Sequence, residues 1–129
     1  MTLRCVPLHR AAAAIAITVL LSGACDLFTY PECTVSYRVT STATPGTVDL
    51  TIENSGGGVS QFDDTSTPWT YSFGQVSSST FVYVSAQNQQ DHGSITAQII
   101  ADGAVWKTST SIGAYVIATA SGGINGYCE

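Results

Sequence analysis

Phe81-Val82-Tyr83-Val84-Ser85-Ala86-Gln87-Asn88 carries the strongest strand signal in the chain. Every position from Thr80 to Val84 is β-branched or aromatic, the composition that favours strands. In a strand Phe81 and Tyr83 project to one side, and Val82 and Val84 to the other. Both sides are apolar, which predicts a central strand covered on both faces. Weaker alternating segments lie before and after it and can pair with it.

Upstream, Val35, Tyr37 and Val39 alternate with Thr34, Ser36 and Arg38, and Val48, Leu50 and Ile52 alternate with Asp49 and Thr51. Thr44-Pro45-Gly46 and Asn54-Ser55-Gly56-Gly57-Gly58 are turn chemistry. Val59 to Phe62 reads as a short edge strand and Asp63 to Thr67 as a polar loop. Pro68 opens Trp69-Thr70-Tyr71-Ser72-Phe73, with three aromatics on one face. Downstream, Ile95 to Ile100 and Val105 to Thr108 flank Asp102-Gly103, a two-residue hairpin signal. Ala114 to Ala120 reads as a last strand, apolar on both faces. No window shows helical periodicity. Seven or eight short strands predict an antiparallel, immunoglobulin-like β-sandwich over residues 33–129. The expected inward positions are Val35, Tyr37, Val39, Leu50, Ile52, Trp69, Tyr71, Phe81, Tyr83, Ile95, Ile99, Val105 and Ile117.

Residues 1–24 have a different character. Arg4 and Arg10 precede an unbroken run of Ala, Ile, Thr, Val and Leu from Ala11 to Leu21, followed by Ser22-Gly23-Ala24 and Cys25. Basic, apolar, then small is the order of a secretory signal peptide. The apolar run is about half of the ~20 residues that span a bilayer. A retained anchor helix is the alternative. Leu20-Leu21-Ser22-Gly23-Ala24-Cys25 resembles the bacterial lipobox, which implies a diacylglycerol on the Cys25 thiol. The fit departs at Ser22, where the motif usually has Leu. Ordinary signal peptidase could also cut after Ala24. Residues 25–32 then form a tether.

Cysteine parity bears on the choice. Beyond the leader the chain keeps Cys25, Cys33 and Cys128, an odd number. Lipid on Cys25 leaves Cys33 and Cys128 as a pair at the two ends of the domain, suited to a disulfide in an oxidising compartment. Closing a loop of that length would stabilise the fold by roughly 4–5 kcal/mol in the chain-entropy account. Without the lipid, one thiol is left over.

From Cys25 onward Arg38 and Lys107 are the only Lys or Arg residues, set against all nine of the carboxylates of the sequence. A domain this acidic lacks the cations that neutralise a phosphate backbone, so no nucleic acid partner is expected. Membrane attachment is expected through the lipid alone.

The sequence offers little chemistry. His92 follows Asp91 and precedes Gly93, the composition of a solvated turn, and no Ser sits in a Gly-x-Ser-x-Gly elbow. No enzyme, catalytic residue or cofactor is expected. Asp63-Asp64 and Asp91-His92 could ligate a cation, but neither has the spacing of a calcium loop or zinc site, so no metal is expected. Trp69, Tyr71 and Phe73 form either an aromatic platform for a sugar or hydrophobic compound, or the core face of a strand. Trp106 points outward if Val105 points inward, which would make it a contact for a partner. Packing over the other face of its hairpin is the plainer reading.

Several segments resemble the soluble domain of the MmpS-type small membrane proteins, accessory subunits of mycobacterial lipid and siderophore exporters. They are Tyr37-Arg38-Val39-Thr40, Val48-Asp49-Leu50-Thr51-Ile52, Pro68-Trp69-Thr70, Val82 to Asn88, Gly93 to Ile99 with Asp102-Gly103, and Gly113-Ala114-Tyr115. They follow the family's order across most of the domain. The resemblance implies a β-sandwich that binds or assists an envelope transporter without catalysis. Members of that family hold an N-terminal transmembrane helix and often a cysteine pair in the later strands. This chain has a lipoprotein-like leader instead, with Ala97 and Ala118 in the comparable region. A structural or adhesive surface module and a carrier of small hydrophobic ligands are the rival expectations.

Overall fold

The computed structural model describes residues 33–76 and 80–124. They form eight strands: β1 (Cys33–Ser41), β2 (Thr47–Glu53), β3 (Val59–Ser66), β4 (Trp69–Val76), β5 (Phe81–Asn88), β6 (Ser94–Ala101), β7 (Ala104–Ile112) and β8 (Ile117–Gly123). One sheet has the order β4-β1-β6-β7 and the other β3-β2-β5-β8. Neighbouring strands are antiparallel throughout. The expected all-β sandwich is therefore present, with four strands in each layer. The chain changes sheet at every connection except the β2–β3 and β6–β7 hairpins.

Period two explains the core. Val35, Tyr37 and Val39 on β1 and Ile95, Ala97 and Ile99 on β6 are fully buried, as are Val48 and Ile52 on β2. Each strand's alternate residues face out, so each sheet presents one apolar face to the other. The hairpin at Asp102-Gly103 has the two positive φ angles that its sequence predicts, 49° and 80°. In the β2–β3 turn the Asn54 carboxamide oxygen accepts from the amides of Gly56 and Gly58.

Four expectations are corrected. β5 is central in its sheet, between β2 and β8, but it is covered on one face only. Val82, Val84 and Ala86 are fully buried while Phe81 is 53 % exposed and Tyr83 is half-buried. The space inside is occupied from the opposite sheet: the Tyr37 ring reaches across, and its hydroxyl accepts from the Tyr83 amide at 3.2 Å. On β7 the phase is reversed, with Val105 exposed and Trp106 packed against the core. The ladder slips between Ile99 and Ile100, pairing them with Lys107 and Val105, so Trp106 is an extra residue. A bulge of this kind shifts the inward row by one position.

The last strand begins only at Ile117, with Ala118 and Ala120 inside and Ile117 exposed. Ala114 and Tyr115 belong to the preceding turn. Finally, the expected loop at Asp63–Thr67 is mostly strand, because β3 runs on to Ser66. Here Val48 pairs with Thr65 and Leu50 with Phe62, so Asp63 and Asp64 together oppose Asp49. Asp64 takes φ 49°, a value that Asp tolerates better than most residues, and the Asp49 carboxylate accepts from its amide at 2.9 Å. Edge-strand character at Val59–Phe62 is as expected, since β3 ends its sheet.

Candidate functional site

Five aromatic rings line the flank edged by β3 and β4. Trp69, Tyr71 and Phe73 share the inward face of β4 because they alternate along it. Phe73 meets Tyr37 edge-on at 5.9 Å, and Tyr37 stacks on Tyr71 at 5.8 Å. Tyr71 stacks on Trp69 at 6.2 Å, and Trp69 tilts against Phe62 of β3 at 5.7 Å. The row grades from buried at Tyr37 and Phe73 to half-buried at Tyr71 and Trp69, and on to exposed at Phe62. One end of the row is thus core and the other is open to solvent. Such pairs contribute roughly 0.5–1.5 kcal/mol each beyond area burial.

Two hydroxyls fix the row. Tyr37 donates to the Glu53 carbonyl at 2.9 Å as it accepts from Tyr83. Burial pushes its phenol up to about 12, against the pull of the Tyr83 amide and with smaller contributions from Glu53 and Tyr71. The Tyr71 oxygen accepts from the Ser55 amide at 3.2 Å and lies 3.4 Å from the Ser55 hydroxyl. Those contacts hold the Tyr71 phenol below its ordinary value.

At the inner end of the row is a cavity of about 490 Å³. Phe73, Val76 and Phe81 supply its apolar wall, and Glu53, Ser55, Gln75 and Thr80 its polar one. It lies at the end of the sandwich where Cys33 pairs with Val76. The mixed lining suits an apolar molecule with a hydroxyl or a cationic group that could meet Glu53.

The other residues singled out in the sequence are dispersed. Trp106 lies on β7, the far edge of the same sheet from β4 and Trp69, so the two tryptophans form no common surface. Trp106 is packed: a Cβ added at Gly122 would sit 2.8 Å from its ring, and the Lys107 ammonium lies 5.1 Å from its centroid. Asp91 and His92 are exposed and joined by a 2.7 Å contact, and that hydrogen bond to His92 is the main cause holding the Asp91 carboxyl below its usual range. Among the described residues no three His, Cys, Asp or Glu gather as a metal site. Cys33 is buried at the start of β1 and its side chain is not without a partner. Cys128 and Cys25 lie outside the described residues, as do the leader and the tether.

Sequence reasoning missed Asn88, which is buried completely. Its amide nitrogen donates to the His92 carbonyl at 2.9 Å and the Gly113 carbonyl at 3.0 Å, and its oxygen accepts from the Gln90 amide at 3.1 Å. The signal was available, because Asn88 continues the inward row of Val82, Val84 and Ala86. Also missed was the exposure of Ile112, Tyr115 and Ile117 around the β7–β8 turn.

No family model matches the chain, and no curated protein matches it significantly.

Proposed function

We propose that this chain is a non-catalytic accessory or binding domain of a bacterial cell envelope, held to the membrane by lipid on Cys25. In its folded part it resembles the MmpS-type transport accessory proteins, and its partner is an envelope transporter or another envelope protein. The observation that carries the reading is the place of the resembling segments. They fall on β1, β2, β5 and β6 and at the openings of β4 and of the β7–β8 turn, so they span both sheets rather than one local motif. A Cys33–Cys128 bridge belongs to the same proposal, and the engaged, buried state of Cys33 supports it.

A second reading rests on the cavity between Glu53 and Phe81: a carrier of a small hydrophobic ligand. One experiment addresses both. The mature chain is extracted from membranes and weighed intact, first in native and then in denaturing conditions. A denatured mass of Cys25–Glu129 plus a diacylglyceryl group, less two hydrogens, is expected. An unmodified mass beginning at Cys25 removes the anchor, and a mass retaining the leader makes that segment a permanent helix. A native mass exceeding the denatured one by a small molecule moves the assignment to the carrier.

A further inference from the structure

The cavity at the inner end of the aromatic row has one charged residue in its wall, Glu53. Among the described residues no hydrogen bond or ion pair reaches that carboxylate, because Tyr37 bonds the Glu53 backbone carbonyl instead. The carboxylate lies near enough to the Tyr37 hydroxyl for its charge to help keep that phenol protonated. The described cations are placed elsewhere. Arg38 lies on β1 between Thr70 and Gln98. The Lys107 ammonium covers the Trp106 ring on β7, the far edge from β4. His92 is held by Asp91 in the turn after β5. Of the other described carboxylates, Asp102 is at the same end of the sandwich and accepts from the Thr34 amide at 2.9 Å. Asp49, Asp63 and Asp64 gather on β2 and β3, away from the Glu53 end of that ladder. The cavity therefore has a negative charge in its wall and no cation to match it.

That wall is preformed. The two hydroxyls of the aromatic row hold it: Tyr37 donates to the Glu53 carbonyl at 2.9 Å, and the Tyr71 oxygen accepts from the Ser55 amide at 3.2 Å. The turn beyond is closed by the Gly57 amide on the Asn54 carbonyl and the Asn54 amide on the Gly58 carbonyl. A ligand arriving here spends little on ordering the chain. Opposite the carboxylate, Phe73 and Val76 are buried, and Phe81 is 53 % exposed. A ligand that covers Phe81 gains by removing apolar surface from water.

We infer that this cavity binds a small apolar amine as its ammonium ion, with the nitrogen on the Glu53 carboxylate and the apolar body against Phe73, Val76 and Phe81. The inference rests on the carrier reading above and names the class of its ligand. An ionised carboxylate only accepts hydrogen bonds, so its partner must bring the proton. A charge-assisted N–H bond is roughly twice as strong as a neutral one, and an aromatic face also attracts an ammonium. An anion would be repelled. The volume of about 490 Å³ falls within the ~300–1,000 Å³ of small-molecule sites.

The test uses the full-length chain, extracted from its own cells in a neutral detergent. It is titrated with three probes of one shape: phenethylamine, phenethyl alcohol and hydrocinnamate. The readout is the amide resonances of Gly56 and Gly57, which line the cavity, with Gly113 in the turn between β7 and β8 as the remote control. Phenethylamine should move the first two saturably and leave Gly113 in place. The alcohol should bind at least ~10-fold more weakly, and the acid more weakly still. Glu53→Gln should bring the amine down to the affinity of the alcohol, with an unchanged melting temperature, since no hydrogen bond of the described fold uses the carboxylate. Phe81→Ala should weaken amine and alcohol alike. Equal affinity for amine and alcohol, or an amine affinity that Glu53→Gln leaves alone, overturns the inference and keeps the carrier. Shifts at Gly113 as large as those at Gly56 also overturn it. If no probe binds, the inference falls, and the native mass decides the carrier: a mass above the denatured one keeps it for another class of ligand, and equal masses remove it.

Discussion

Tyr37 shows how one side chain organises both layers. It starts on β1, stacks in the aromatic row and ends with its hydroxyl on the backbone of β2 and β5. The hydroxyl is neutral in both states below pH 10, the ordinary phenol value, and the folded chain keeps it protonated up to about 12. Stabilisation from the neutral form is therefore complete below pH 10 and is lost as pH climbs through 12. Two pH units correspond to about 3 kcal/mol. Denaturation midpoints taken across that window should fall faster for the native chain than for Tyr37→Phe. The variant should itself be less stable at neutral pH by roughly 1–3 kcal/mol, having taken a hydrogen-bond partner from a part-buried carbonyl and amide. Parallel pH profiles would remove Tyr37 from this role. Alternation alone puts Tyr37 inward, whereas its reach across the core depends on a partner strand 46 residues away, which no local pattern encodes.

Elements were legible where burial alternates strictly, and two of the misreadings fall where a ladder slips. β1, β2 and β6 keep strict alternation, so their inward rows were foreseen. β7 was misread because the bulge at Trp106 turns its remaining residues over, and β3 because paired aspartates look like loop until the bulge that holds them is seen. β5 is apolar on both sides, so alternation could not choose between them. The candidate site followed the same rule: the β4 aromatics were visible as a row, but Tyr37 and Phe62 join it from other strands. The β7 bulge has a measurable partner in β8, where Gly122 leaves room for the Trp106 ring. Gly122→Val should push the ring outward, cost about 1–3 kcal/mol from overpacking, and shift tryptophan emission to the red. Unchanged emission and stability would mean that the ring does not depend on that gap.

At the scale of the molecule, the proposed link between Cys33 and Cys128 would tie the first strand to the chain's end. Cys33→Ser should lower the melting temperature under oxidising conditions, by several degrees for ~2–4 kcal/mol, and reductant should bring the native chain down to the variant. Equal melting in both conditions would exclude the bridge. The bulge on β3 reaches further still. β3 and β4 end their sheets on one flank, and an unpaired edge is a template for adding strands from neighbouring copies. On the lipid anchor proposed above, copies held to one surface would meet at high local density, where such stacking would be hardest to escape. Asp63 and Asp64, held out by the kink opposite Asp49, break the line of the edge and charge it. The same residues that look like an ordinary acidic loop in the sequence thus make the β3 edge a poor template for strand addition.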